Sequence, residues 1–291
     1  MSENISVVLG IVGGSGLEEL EEGKDIKTHH VQTPYGDPSC VILEKEIDSR
    51  RVFFLSRHGV SHNLNPSEVN YRANVYALKS LGVTDVVAVS SVGILKDGID
   101  PSDVILPDQV FDRTCKRQST FFENGVVAHV SCADPFCEEL RAFFKGVVES
   151  LGYKVWDGGT LVCIEGPVYS TRAESLFYKN VLGASCVGMT ALPETKLFRE
   201  AGICFITCAM ATDYDCWKQD EQNVSSDMVV ARGEYNNRIV KKILASFIKT
   251  YPKLRPRCSC QDSIQEALVT HSISDEVKKR LAPILEGRIK L

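Results

Sequence analysis

Val7-Val8-Leu9-Gly10-Ile11-Val12 is a short apolar, β-rich run, and Gly13-Gly14-Ser15-Gly16 closes it in a tight glycine turn. Similar runs lie at residues 40–43, 52–55, 83–89, 160–164 and 203–210. Segments with helical spacing fall between and after them. Residues 66–81 form one, with Ser67 placed as its N-cap and Gly82 just past its end. Residues 134–151 form another, stopped by Gly152, and further helices begin near Thr171, Pro193 and Ser226. Strands alternating with helices predict an α/β domain whose sheet is covered on both faces. The proline-bounded stretch 252–256 divides the chain into a domain at 1–251 and a C-terminal helical appendage at 252–291.

The 291 residues carry a net charge of −5. A mildly acidic chain has no basic footprint for nucleic acid or an anionic membrane surface. No run approaches the roughly 18 apolar residues of a spanning helix, and the polar first six residues do not read as a signal peptide. The eleven cysteines sit mostly singly in apolar segments, which suits reduced thiols and a cytoplasmic protein. Cys258-Ser259-Cys260 reads as two thiols in a mobile tail rather than a redox pair.

Four β-rich runs end in small or polar residues: Gly14-Ser15, Arg57-His58, Ser90-Ser91 and Thr212-Asp213. Ligands of open α/β sheets bind outside the carboxyl ends of strands, so these ends define the expected site. A dinucleotide loop would need glycine at Glu19, and a P-loop would need Gly-Lys-Ser/Thr where Gly16-Leu17-Glu18 stands, so both readings fail. What remains is a glycine turn that lets backbone N–H groups and a hydroxyl approach an anion. The Arg57 guanidinium suits phosphate oxygens, and three donor clusters at three strand ends fit one anion site. Asp213 and Asp215 directly follow a buried strand, and a carboxyl with a raised pKa there could give a proton to a purine nitrogen. A metal would want more carboxylate or histidine ligands, and the nearby Asp220 and Glu221 sit on a polar stretch that reads as solvated, so no metal is expected.

In order along the chain stand Gly13-Gly14-Ser15-Gly16-Leu17, Arg57-His58-Gly59, Asn70-Tyr71-Arg72-Ala73-Asn74 and Asp134-Pro135-Phe136-Cys137. Ile164-Glu165-Gly166-Pro167, Arg172-Ala173-Glu174-Ser175, Met189-Thr190, Pro193-Glu194 and Ala209 through Trp217 follow. This set resembles the trimeric purine nucleoside phosphorylases, most closely the branch acting on 5′-methylthioadenosine, over roughly residues 7–250. The resemblance implies a single α/β domain around a central mixed, partly barrel-like sheet flanked by helices, assembled as a homotrimer. It implies phosphorolysis of 5′-methylthioadenosine to adenine and 5-methylthioribose 1-phosphate, with no cofactor and inorganic phosphate as a substrate.

Carried over by position, Ser15, Arg57, His58, Ser90, Ser91 and Thr190 resemble the family's phosphate site. Met189 resembles its ribosyl contact, Tyr169 the aromatic packed against base or sugar, and Ser170 a base contact. His62, His129 and Val229 resemble the lining of the 5′ pocket, part of it supplied by a neighbouring subunit. Asp213 is similar to the general acid at purine N7, and Asp215 to its partner at the 6-amino group. Aspartate accepts from a 6-amino group, whereas relatives preferring guanine or hypoxanthine place asparagine there. Ser226 stands where an apolar 5′-pocket residue would suit, and a hydroxyl there would tolerate a 5′-OH. Two alternatives stay open: a broader phosphorylase acting on adenosine, inosine or guanosine, and a catalytically silent purine-nucleoside-binding protein.

Overall fold

The computed structural model describes residues 4–14, 16–20, 23–218, 226–285 and 288, with the backbone alone at 25, 226–229 and 231. Strands β1 (Asn4–Ser6), β2 (Leu9–Gly13), β3 (Lys24–His29), β4 (Ile42–Ile47) and β5 (Arg50–Ser56) precede helix α1 (Tyr71–Ser80). Strands β6 (Asp85–Ile94), β7 (Val104–Leu106) and β8 (Gln109–Arg113) lead to α2 (Glu138–Ser150). Then come β9 (Val155–Asp157), β10 (Thr160–Ile164), α3 (Arg172–Asn180), β11 (Cys186–Gly188), α4 (Ala191–Ala201) and β12 (Cys204–Asp213). The chain closes with α5 (Ser226–Thr250), β13 (Leu254–Pro256), a 3-10 turn at Ser259–Asp262 and α6 (Asp275–Leu285).

Eleven strands make one mixed sheet. At its centre β2, β6 and β12 run parallel, and β5 runs parallel to β2. The central strands are buried on both faces and alternate between two cores. Ile11, Phe54, Val87 and Ile206 face a cluster shared with α2 and α5. Their neighbours Val12, Phe53, Val86 and Phe205 face a second cluster shared with α1, α4 and α6. The sheet forks at β6. One edge of that strand pairs with β12 along Asp85 to Gly93. Its other edge pairs with β2 only as far as Val12↔Ala88, and β11 takes over antiparallel at Val187↔Gly93. Residues 89–92 therefore border a gap between β2 and β11.

Local chemistry explains several boundaries. Thr171 caps α3 in a capping box with Glu174. Asn70, not Ser67, caps α1: its side-chain oxygen accepts from the Ala73 N–H at 3.2 Å. Ser67 instead donates its hydroxyl to Glu165. Ser90 and Ser91 do not end their strand, which continues to Ile94. The charged strand β3 escaped the sequence reading because it lies at the sheet's edge, where a polar strand loses little.

The segment from 252 onward is built into the fold. β13 pairs antiparallel with β1, and α6 joins the second core through Val277, Leu281 and Ile284. Arg255 donates to the fully buried Asp85 at 2.9 Å, and the Tyr251 hydroxyl donates to the same oxygen at 2.9 Å. Cys258 and Cys260 are buried in the first core. The expectation that they sit in a mobile tail is therefore corrected: these flanking contacts hold the motif down.

Candidate active site

The fork opens into a cavity of 710 Å³. Arg57, His58, His62, Ser90, Ser91, Tyr169, Ser170, Met189, Thr190, Asp213 and Asp215 all line it, so most of the expected site is gathered in one place. Gly14 of the glycine turn lies in the wall, whereas Ser15 lies outside the described residues. The side chains of Val229 and Ser226 also lie outside them, but their helix α5 contributes Val230, Gly233, Glu234 and Asn237. Those four positions share one helical face, which forms a wall of the cavity. His129 does not line its own chain's cavity; it is exposed, and its backbone N–H donates to Ala267.

The end of the cavity expected to take an anion is built on the gap in β6. The Arg57 guanidinium donates to the Val89 carbonyl at 3.1 Å, filling a backbone acceptor that β2 no longer reaches. Strand alternation turns the Ser91 N–H to the same side. Arg57 is 2 % exposed and meets Glu194 of α4 through two hydrogen bonds, one of them at 3.0 Å. Glu194 thus compensates the buried charge and aims the guanidinium, a role the sequence reading did not assign. The two residues are 137 positions apart, so no local signal pairs them. Thr190 is the N-cap of α4 but makes no side-chain cap bond, leaving its hydroxyl available to a ligand.

His58 is held neutral. Its Nδ1 lies 2.9 Å from the Leu64 carbonyl, which can only accept, so Nδ1 carries the proton and Nε2 is an acceptor. Burial, then the Arg57 charge, push its pKa down to about 4. Its ring stacks on His62 at 4.5 Å.

At the other end stand the two aspartates. Asp213 accepts from the Thr212 hydroxyl at 2.6 Å on one oxygen and from the Asp215 N–H at 2.8 Å on the other. Burial raises its pKa, against those two hydrogen bonds. Asp215 takes a left-handed backbone, φ 48°, which an aspartate tolerates better than most residues. Its pKa is raised by burial first and by the neighbouring Asp213 charge. The Ser175 and Ser170 hydroxyls lie close enough to oppose that rise, yet neither meets hydrogen-bond geometry with Asp215. Asp215 Oδ2 is buried, with the Ser170 and Ser175 hydroxyls as the donors nearest to its carboxyl.

Between the two ends, Arg117 fixes the wall. Its guanidinium donates to the carbonyls of Met189 and Glu165 at 2.6 Å each, and of Leu192 at 2.5 Å. It thereby ties the end of β10 to the loop entering α4. Glu165 sits beside it; burial acts to raise its pKa, but the Ser67 hydroxyl, the Cys115 and Lys116 N–H groups and Arg117 bring it down to about 2. Arg117 comes from a polar loop whose sequence gives no hint of burial.

Comparison with known proteins follows the same lines. Residues 8–249 match the Phosphorylase superfamily. The S-methyl-5′-thioadenosine phosphorylase of Geobacter sulfurreducens is 44% identical over 281 residues, covering 96% of this chain and 98% of that one. The enzyme of the same name from Hyperthermus butylicus is 45% identical, covering 91% and 97%. A methylthioadenosine phosphorylase from an antarctic soil metagenomic library superposes with a TM-score of 0.88 at 41% identity, covering 96% and 99%. The Schistosoma mansoni methylthioadenosine phosphorylase in complex with adenine gives 0.78 at 35% identity, covering 82% and 90%.

Proposed function

The chain belongs to the phosphorylase superfamily, and on that premise we propose that it cleaves 5′-methylthioadenosine with phosphate, giving adenine and 5-methylthioribose 1-phosphate. The observation that carries the choice of base is the pair of carboxyl side chains, Asp213 and Asp215, together in the cavity wall. A carboxylate in that wall accepts from an adenine 6-amino group, whereas a 6-oxo group would bring an acceptor against an acceptor.

In this reading Arg57, Ser90, Ser91 and Thr190 hold the phosphate, with Ser15 on the glycine turn. His58 offers Nε2 to a P–OH rather than to a bare oxyanion, which selects hydrogen phosphate. A phosphate oxygen attacks C1′, the C1′–N9 bond breaks, and its electron pair passes into the purine. Asp213, with its raised pKa, donates a proton to N7 and lowers the barrier to departure. The proton of hydrogen phosphate balances the one the base acquires. No metal or organic cofactor takes part in this scheme. Met189 and Tyr169 pack the ribosyl group and base, and His62 with the α5 face receives the 5′ substituent. Val230 offers apolar surface to a methylthio group, while Glu234 on the same face offers an acceptor to a 5′-hydroxyl. That carboxylate favours adenosine as a second, slower substrate.

Assembly as a homotrimer would let His129 reach a neighbour's 5′ pocket, which supports that state because His129 is exposed outside its own. The eleven unpaired thiols support a reducing, cytoplasmic setting. Incubation with methylthioadenosine and inorganic phosphate, followed by phosphorus NMR, tests the reaction. Conversion of the phosphate signal to a sugar phosphomonoester, matched by free adenine, is expected. An unchanged phosphate signal while nucleoside binds would establish the silent binding protein instead.

A further inference from the structure

Four buried cysteines, Cys137, Cys204, Cys258 and Cys260, meet at the end of the sheet away from the cavity. Cys204 and Asp213 are the two ends of β12, so at ~3.3 Å per residue the cluster lies roughly 30 Å from the acid. The sulfurs all lie within 4.8 Å of one another, and those of Cys137 and Cys258 are 3.8 Å apart. A tetrahedron of thiolates at ~2.3 Å around zinc has sulfur–sulfur edges of about 3.8 Å. The four come from three separate segments: the N-cap of α2, the first residue of β12, and the turn after β13.

The surroundings are those of thiolates rather than neutral thiols. Arg255 donates to Cys204 at 3.1 Å, Arg199 to Cys260 at 3.4 Å, and the Gln261 amide to Cys204 at 3.6 Å. A neutral thiol is a weak acceptor, and two guanidiniums aimed at buried sulfur call for negative charge there. Cys137 adds the N-terminus of the thirteen-residue α2, a position that stabilises a thiolate. Four thiolates and a divalent cation carry −2 together; Arg199 and Arg255, the latter shared with Asp85, stand against that charge. Disulfides would leave two close pairs instead of four mutually near sulfurs, and all eleven cysteines are unpaired.

We propose that Cys137, Cys204, Cys258 and Cys260 form a closed structural site for one thiophilic divalent metal, zinc, that clamps the 258–260 turn to the base of β12 and α2. The site is fully buried and has no open coordination position, so it is structural and takes no part in turnover.

The test measures metal and thiols on the full chain purified without chelator. Mass spectrometry of the metal content is expected to give one zinc per chain, lost in the double variant Cys258→Ser, Cys260→Ser. If that variant fails to fold, cobalt exchanged into the wild-type chain gives the same answer. Intense visible d–d bands with near-ultraviolet thiolate charge transfer are expected for a tetrahedral tetrathiolate. After denaturation with chelator, all eleven thiols should titrate. Metal-free protein with eleven reactive thiols would overturn the proposal, as would metal-free protein in which four thiols are missing as disulfides.

Discussion

Replacing Asp213 with asparagine separates proton donation from shape. The Asp215 N–H, 2.8 Å from one oxygen of Asp213, requires an acceptor there, so the new amide must keep its oxygen on that side. The amide nitrogen then stands opposite Thr212. That hydroxyl also lies 3.1 Å from the Val92 carbonyl, so it can donate to Val92 and accept from the amide. The variant is accommodated without a buried orphan, and its stability should stay within about 1 kcal/mol of the parent. The amide still offers N7 a hydrogen bond but cannot transfer a proton. General acid catalysis contributes about 10²- to 10⁴-fold. With the hydrogen bond retained, the expected fall in kcat/KM for methylthioadenosine is about 10²- to 10³-fold, or about 3–4 kcal/mol of barrier. The ratio of methylthioadenosine to inosine turnover should change little, because N7 is common to both bases and Asp215, which faces the 6-position, is untouched. Initial rates followed by chromatographic release of base, with a melting curve as control, give both quantities. Unchanged adenine release from a folded variant would show that Asp213 is not the acid.

Glu194→Gln leaves the Arg57 charge buried without its counter-ion and should destabilise the fold by about 3–5 kcal/mol in urea titration, while raising KM for phosphate. Arg117→Lys keeps the charge but cannot reach several carbonyls at once; kcat/KM should drop at least tenfold, and parent-like kinetics would refute its positioning role. His58 has a folded pKa of about 4 against 6.5 unfolded, so the unfolded chain takes up its proton first as pH falls. Its contribution is therefore intact above pH ~6.5 and lost between there and pH ~4, amounting to about 3 kcal/mol, and His58→Asn should flatten that part of the stability curve.

The parts of this molecule that sequence discloses are those whose causes are local. The glycine turn after β2, the capping box of Thr171 and Glu174, and the polar ends of β5 and β12 each carry their reason within a few residues. The site's outline follows, because strand ends in such a sheet converge. Partners brought together by topology were not legible. Glu194 finds Arg57 only because α4 packs beside the fork in β6, and Arg117 becomes a buried clamp only once β10 and α4 close around its loop. The Cys258-Ser259-Cys260 motif reads as loose when its own polar surroundings are considered. It becomes core because Arg255 engages Asp85 and β13 pairs with β1. The cap of α1 follows the same logic: Ser67 and Asn70 are both good capping residues, and the long-range hydrogen bond from Ser67 to Glu165 decides between them.

On the proposed reading the cavity joins an anion site to an adenine-selective base site. The most direct measurement is the initial rate of free-base release from methylthioadenosine, adenosine and inosine, each with and without inorganic phosphate. Strictly phosphate-dependent release is expected, fastest from methylthioadenosine, slower from adenosine and slowest from inosine. Faster release from inosine would contradict the role given to Asp215, and release that needs no phosphate would contradict the anion site around Arg57.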